Sequence, residues 1–182
     1  VADFLARTAL EVWVAQAGFG ESVVRAASLV AVPWANGGGV TRVIADRPQF
    51  RLSLATIASE APFSRLPGLI RHFALVTGRV DLTGPNACFP AVCDAMSSPL
   101  TFPGACPVHA VPRSGPALAL NLMVPTDAPP LRLQRCDAGM LDDVVAVFAC
   151  DAIVIDGMAL EPHDTLFPDG PVHLSGRALV VR

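Results

Sequence analysis

From Val23 to Arg182 the chain is a succession of short apolar runs, each cut off by proline, glycine or an Asp-Gly pair. Past residue 22 no stretch keeps the i, i+3, i+4 spacing of an amphipathic helix. This punctuation constrains the fold more than any other feature. A parallel α/β architecture needs crossover helices between its strands, and none is legible. The runs are Val23–Val32, Val40–Ala45, Phe50–Ile57, Arg71–Thr77, Val108–Val111, Ala117–Val124, Leu131–Gln134, Val144–Phe148, Ala152–Ile155, Val172–Leu174 and Ala178–Val181. Within Phe50–Ile57, Phe50, Leu52 and Leu54 fall on one face and Arg51, Ser53 and Ala55 on the other. Gly78-Arg79 closes the run from Arg71, and a stretch rich in Pro and Cys follows from Thr83 to Pro107. Asp156-Gly157 and Asp169-Gly170 read as hairpin tips. The prediction is an all-β sandwich or barrel.

The first 22 residues differ. Val1, Leu5, Thr8, Val12, Ala15 and Phe19 lie near helical spacing, with Gly18 and Gly20 as a stop, so a short helix or arm is expected over 1–22 and a folded domain over 23–182. A chain of 182 residues fits one domain, or two small halves sharing a core. With 52% hydrophobic and 16% charged residues it has ample apolar material, which excludes disorder. The thirteen basic residues are all Arg and scattered, and the net charge is −3, so no nucleic-acid surface is expected. No apolar run reaches the ~18 residues of a membrane span. Asp3, Arg7 and Glu11 spoil a secretion signal. Cys88, Cys93, Cys106, Cys136 and Cys150 are odd in number, irregularly spaced and without a C-x-x-C pair, which fits free thiols in a cytoplasmic protein. A homodimer is expected on general grounds.

Three segments carry more specific information. The first is Pro33-Trp34-Ala35-Asn36-Gly37-Gly38-Gly39-Val40-Thr41-Arg42. The second is Arg51-Leu52-Ser53-Leu54-Ala55, continuing through Ala61-Pro62-Phe63-Ser64-Arg65-Leu66-Pro67-Gly68 to Arg71. The third comprises Phe102-Pro103-Gly104, Val108-His109-Ala110 and Leu120-Asn121-Leu122-Met123-Val124. In this order they resemble the HutD/Ves family of cupin-type proteins, over residues 24–182. That family is associated with histidine-utilisation gene clusters and, in its other branch, with environmental-stress responses. The resemblance implies a cupin-type double barrel, two jelly-roll-like halves in one compact body, and a role in small-molecule binding or metabolic regulation. Ile70 and Ala119 stand where the family tends to have acidic residues.

The candidate site residues admit two readings each. Asn36, Gly37 and Gly38 fit an anion cradle of converging N–H groups, or a tight turn needing positive φ. Neither a P-loop nor a dinucleotide fingerprint is present. Thr41 and Arg42 adjoin that turn. Arg42, Arg51 and Arg71 sit on or beside strands, where an inward guanidinium suits bidentate recognition of a carboxylate and an outward one is simply solvated. Ser53 and Ser64 offer hydroxyls, Asn121 an amide among small neighbours, and Trp34 and Phe63 apolar walls. His72, His109, His163 and His173 are far apart, without the close histidine pair of metal-binding cupins, and Glu161, His163 and Asp164 cluster in a Pro162 turn, so neither metal nor cofactor is expected. No G-x-S-x-G elbow is present. The expected function is non-enzymatic binding of a small carboxylate metabolite, with Arg42 and Arg71 on the carboxylate, Asn36 and Asn121 on polar groups, and a bearing on histidine utilisation. The rivals are a metal-independent cupin isomerase or hydrolase and a β domain acting through protein contacts.

Overall fold

The computed structural model describes residues 22–84 and 92–182. The helix or arm expected over 1–22 therefore lies, Ser22 apart, outside the described residues, as does Cys88. In chain order the strands are β1 (Ser22–Val24), β2 (Ala31–Pro33), β3 (Gly39–Asp46), β4 (Arg51–Ile57), β5 (Ala61–Pro62), β6 (Leu69–Thr83), β7 (Cys93–Asp94) and β8 (Leu100–Pro103). They continue with β9 (His109–Pro125), β10 (Leu133–Leu141), β11 (Ala146–Ala149), β12 (Ile153–Ile155), β13 (Met158–Leu160), β14 (Thr165–Phe167) and β15 (Val172–Val181). One 3-10 turn, Ala26–Ser28, completes the described elements. The all-β expectation is met.

Two compact units result, one of residues 29–130 and one joining residues 22–28 to residues 131–182. Each is a single antiparallel sheet. The first has the order β2-β3-β4-β9-β6-β7, with β5 on β9 and β8 on β6. The second runs β1-β14-β11-β15-β12-β13, with β10 on β15. The second unit closes on Val147, Leu166, Leu174 and Val180, all 0% exposed. The first closes on Ile57, Phe73, Leu75, Val80 and Ala117. Each fully buried aliphatic or aromatic side chain contributes about 1.5–3 kcal/mol to holding its sheet curled.

The run Val23–Val32 is not one strand. Asp164 interrupts it: its Oδ1 accepts from the Ala26 amide at 2.8 Å and its Oδ2 from Arg25 Nη1 at 2.7 Å. These bonds pin the 3-10 turn, so β1 belongs to the second unit and β2 to the first. Elsewhere runs that read as separate are joined. Strand β6 passes through Gly78, whose φ of +84° bends it where the register against β9 shifts. A Cβ at Gly78 would stand 2.9 Å from the Ala117 Cα, so a glycine that looked like a terminator is a bulge residue inside a long strand. Strands β9 and β15 likewise run on through Ser114-Gly115 and Gly176. Asp156-Gly157 is a hairpin tip, with φ of +47° and +82° joining β12 to β13 as a primed turn requires. Asp169-Gly170 is not. Strands β14 and β15 flank β11 on either side, so this segment crosses over a strand instead of turning back on one.

Candidate functional site

Cross-strand register in the unit of residues 29–130 builds the site. Directly opposed residues of an antiparallel pair share a face. Arg51 on β4 opposes Met123 on β9, which opposes Arg71 on β6, which opposes Phe102 on β8. The next row on that face is Val43, Ser53, Asn121 and Phe73. The third is Thr41, Ala55, Ala119 and Leu75. From the third row to the first, side chains on β4 pass from Ala through Ser to Arg, and on β9 from Ala through Asn to Met. Small and polar residues leave space where bulky ones would have closed the core. The space is a cavity of about 460 Å³, a volume suited to a small organic molecule.

Loops 33–41 and 61–66 form its wall. Trp34 Nε1 donates to Thr41 Oγ1 at 2.8 Å, which fixes the indole, and its ring meets Phe63 edge-on at 6.5 Å. Phe63 in turn lies 5.5 Å from Phe73. The Asn36 side chain ties the two loops together: Oδ1 accepts from the Gly38 amide at 3.0 Å, and Nδ2 donates to the Pro62 carbonyl at 3.3 Å.

Arg71 is the unusual residue. It is 5% exposed, yet among the described residues no carboxylate pairs with it. Its Nη2 donates to the Ser64 carbonyl at 3.0 Å, and its Nε is buried without an acceptor. Phe63 and Phe102 lie against the guanidinium, 5.1 and 5.9 Å from its central carbon. Burial pulls its pKa down to about 10, still fully charged at neutral pH. Ser53 and Asn121 are also buried, at 3% and 6%, and among the described residues neither side chain makes a hydrogen bond within the protein. Among the described residues the lining contains no Asp, Glu, His or Cys.

Of the residues expected at a site, Trp34, Asn36, Thr41, Ser53, Phe63, Ser64, Arg71 and Asn121 all line this cavity. Gly37, Gly38 and Arg42 do not. The Gly37 amide donates to the Trp34 carbonyl and the Gly38 amide to Asn36, so the N–H groups of an anion cradle are already used. Gly37 supplies a positive φ of +71°, and a Cβ at Gly38 would collide with Ala61; the glycines serve a tight turn. Arg42 points to the other face of β3 and donates to Thr56 Oγ1 at 3.3 Å. Ser64 contributes its carbonyl to Arg71. Arg51, weighed beside Arg42 and Arg71 but given no part in the expected carboxylate binding, does line the cavity. Its place beside Arg71 depends on the pairing of β4 and β6 with β9, which the sequence alone does not reveal.

The histidines stay apart. His72 lies next to Arg71 on the opposite face and shares a 2.8 Å hydrogen bond with Thr101. His109 faces Glu60 at 3.6 Å, and His163 stacks on Phe148. Among the described residues no three His, Cys, Asp or Glu side chains converge as metal ligands. No helix among the described residues is long and apolar enough to cross a membrane.

Comparisons with known proteins place the chain in a family. The HutD family profile matches residues 26–178. HutD from Pseudomonas fluorescens SBW25 is 28% identical, covering 90% of this chain and 97% of its own, with a TM-score of 0.77. A conserved protein of unknown function from Pseudomonas aeruginosa PAO1 is 25% identical over 90% of this chain and 97% of its own, with a TM-score of 0.71. Ylba from Escherichia coli shares the fold at 8% identity, over 89% of each chain, with a TM-score of 0.67. Among curated proteins nothing matches. With its two antiparallel sheets and a profile match over most of its length, the chain belongs to the HutD family.

Proposed function

We propose that the protein binds a small carboxylate metabolite in the cavity of residues 29–130, with Arg71 as the anchoring cation. The observation that carries this reading is the buried Arg71 guanidinium without an acidic partner among the described residues. A charge removed from water is costly unless something of opposite charge meets it, and a carboxylate ligand is that partner. Ser53 and Asn121 supply polar contacts that the protein leaves open, and Trp34, Phe63 and Phe73 cover an apolar body. Among the described lining residues no Asp, Glu, His or Cys offers a group suited to proton transfer near neutrality, which favours binding over turnover. Membership of the HutD family makes an intermediate of histidine breakdown the first ligand to try, and a sensor or buffer of pathway flux the corresponding role.

The test is thermal unfolding against a panel of carboxylates including urocanate and formylglutamate, repeated with Arg71→Ala. A ligand at ~100 times its Kd stabilises the native state by about 2.7 kcal/mol. A saturable shift that the substitution abolishes is the expected result. No shift with any carboxylate, or the same shift in the variant, overturns the proposal.

A further inference from the structure

Arg71 is not the only guanidinium in the cavity lining. Arg51 and Arg71 occupy one cross-strand row, separated by Met123 alone. With strands 4.7–4.9 Å apart, their backbones stand about 10 Å from each other. Their surroundings differ sharply. Arg71 is buried and bound to the Ser64 carbonyl, whereas the Arg51 side chain is 47% exposed. Arg51 meets Asp46, its register partner at the β3–β4 turn, only at 3.6 Å, and Asp46 is itself 63% exposed. Such a pair is too long for a tight hydrogen bond and too wet to hold the guanidinium in place. Asp46 does not line the cavity, and among the described residues no other acid does. The cavity thus presents two cations, Arg71 buried and Arg51 half-exposed with only a long ion pair, and polar Ser53 and Asn121 in the adjoining row.

Resting on the carboxylate reading above, we infer that the preferred ligand is a short dicarboxylate, with one acidic group on Arg71 and the second on Arg51. A monocarboxylate satisfies Arg71 and leaves Arg51 to Asp46 and water. A second carboxylate at the other end of a short chain draws Arg51 from that weak pairing into a charge-assisted bond nearer the low-dielectric interior.

The experiment is calorimetric titration of the full chain with glutarate and with pentanoate, which have the same carbon count and differ in the second acid. The expected result is that glutarate binds at least about tenfold tighter, the size of one charge-assisted hydrogen bond. In Arg51→Gln that ratio falls to near unity, and in Arg51→Lys, which keeps the charge, much of it returns. The long, exposed Arg51 side chain makes both variants compatible with the fold, which circular dichroism checks. Equal binding of the two acids to the wild type, or a ratio unchanged in Arg51→Gln, overturns the dicarboxylate inference while leaving the carboxylate site standing. Absence of binding by both acids overturns this inference together with the reading of the site.

Discussion

The Arg71 guanidinium lies 5.1 Å from the centre of the Phe63 ring and donates to the carbonyl of the next residue, Ser64, at 3.0 Å. One side chain thereby holds the loop that walls the cavity while keeping an uncompensated charge inside it. Two uses of one group pull in different directions, because the charge suits a ligand and disfavours the empty fold.

Replacing that charge should therefore separate stability from binding. Arg71→Met keeps an apolar stem against Phe63 and Phe102 and removes the buried cation. We expect the variant to be more stable than the wild type by about 1–3 kcal/mol in urea, and to lose carboxylate binding. The difference should be pH-dependent. A base whose folded pKa is depressed to about 10 destabilises the native state while protonated, and the penalty fades as pH rises from there towards its ordinary, higher value. The advantage of Arg71→Met should shrink over that window. The chain has neither Lys nor Tyr to titrate there, and Cys150, whose thiol burial raises to about 11, is common to both proteins.

The triple glycine should respond position by position. At Gly39 a Cβ would overlap the Thr56 carbonyl, a backbone atom that cannot move aside, so Gly39→Ala should cost about 2 kcal/mol or more. At Gly37 nothing lies within 4 Å, and Gly37→Ala should cost only about 1 kcal/mol for the positive φ. Because the Gly37 amide is bound to Trp34 and turned to no ligand, that variant should keep its carboxylate affinity. A large loss of affinity in Gly37→Ala would revive the anion cradle.

Much of this was legible in the residues themselves, and the misses share a physical cause. Alternation along Phe50–Ile57 placed Arg51, Ser53 and Ala55 on one face, and that face does line the cavity. The Asp-Gly pair at 156–157 turned as its chemistry dictates. Arg42 and Arg51 were indistinguishable as lone arginines, because only the pairing of β3, β4, β9 and β6 decides which meets Arg71. Gly78 and the Asp169-Gly170 pair misled for a related reason. Local residues specify a bend, but the partner strand decides whether the bend ends a strand, bulges it or crosses over a neighbour.

Acid should loosen the anchoring of β1. Burial opposes ionisation of Asp164, but hydrogen bonds from the Ala26 amide, Arg25 and the Glu161 amide outweigh it and hold the carboxyl below its usual range. A carboxylate with a depressed folded pKa adds stability above its unfolded value, near 3.9, and that stability is lost as pH falls through the folded one. Asp164→Asn should be less stable by about 1–3 kcal/mol at neutral pH, and its stability should change less than that of the wild type below about pH 4. Urea unfolding of both proteins across that range checks the sign.

The most direct measurement is a crystal structure of the protein saturated with the carboxylate that stabilises it most. A carboxylate oxygen within hydrogen-bonding distance, about 2.7–2.9 Å, of an Arg71 guanidinium nitrogen, with the ligand body against Trp34 and Phe63, is the result expected. A ligand seated elsewhere on the molecule, with Arg71 still unpaired, would contradict it.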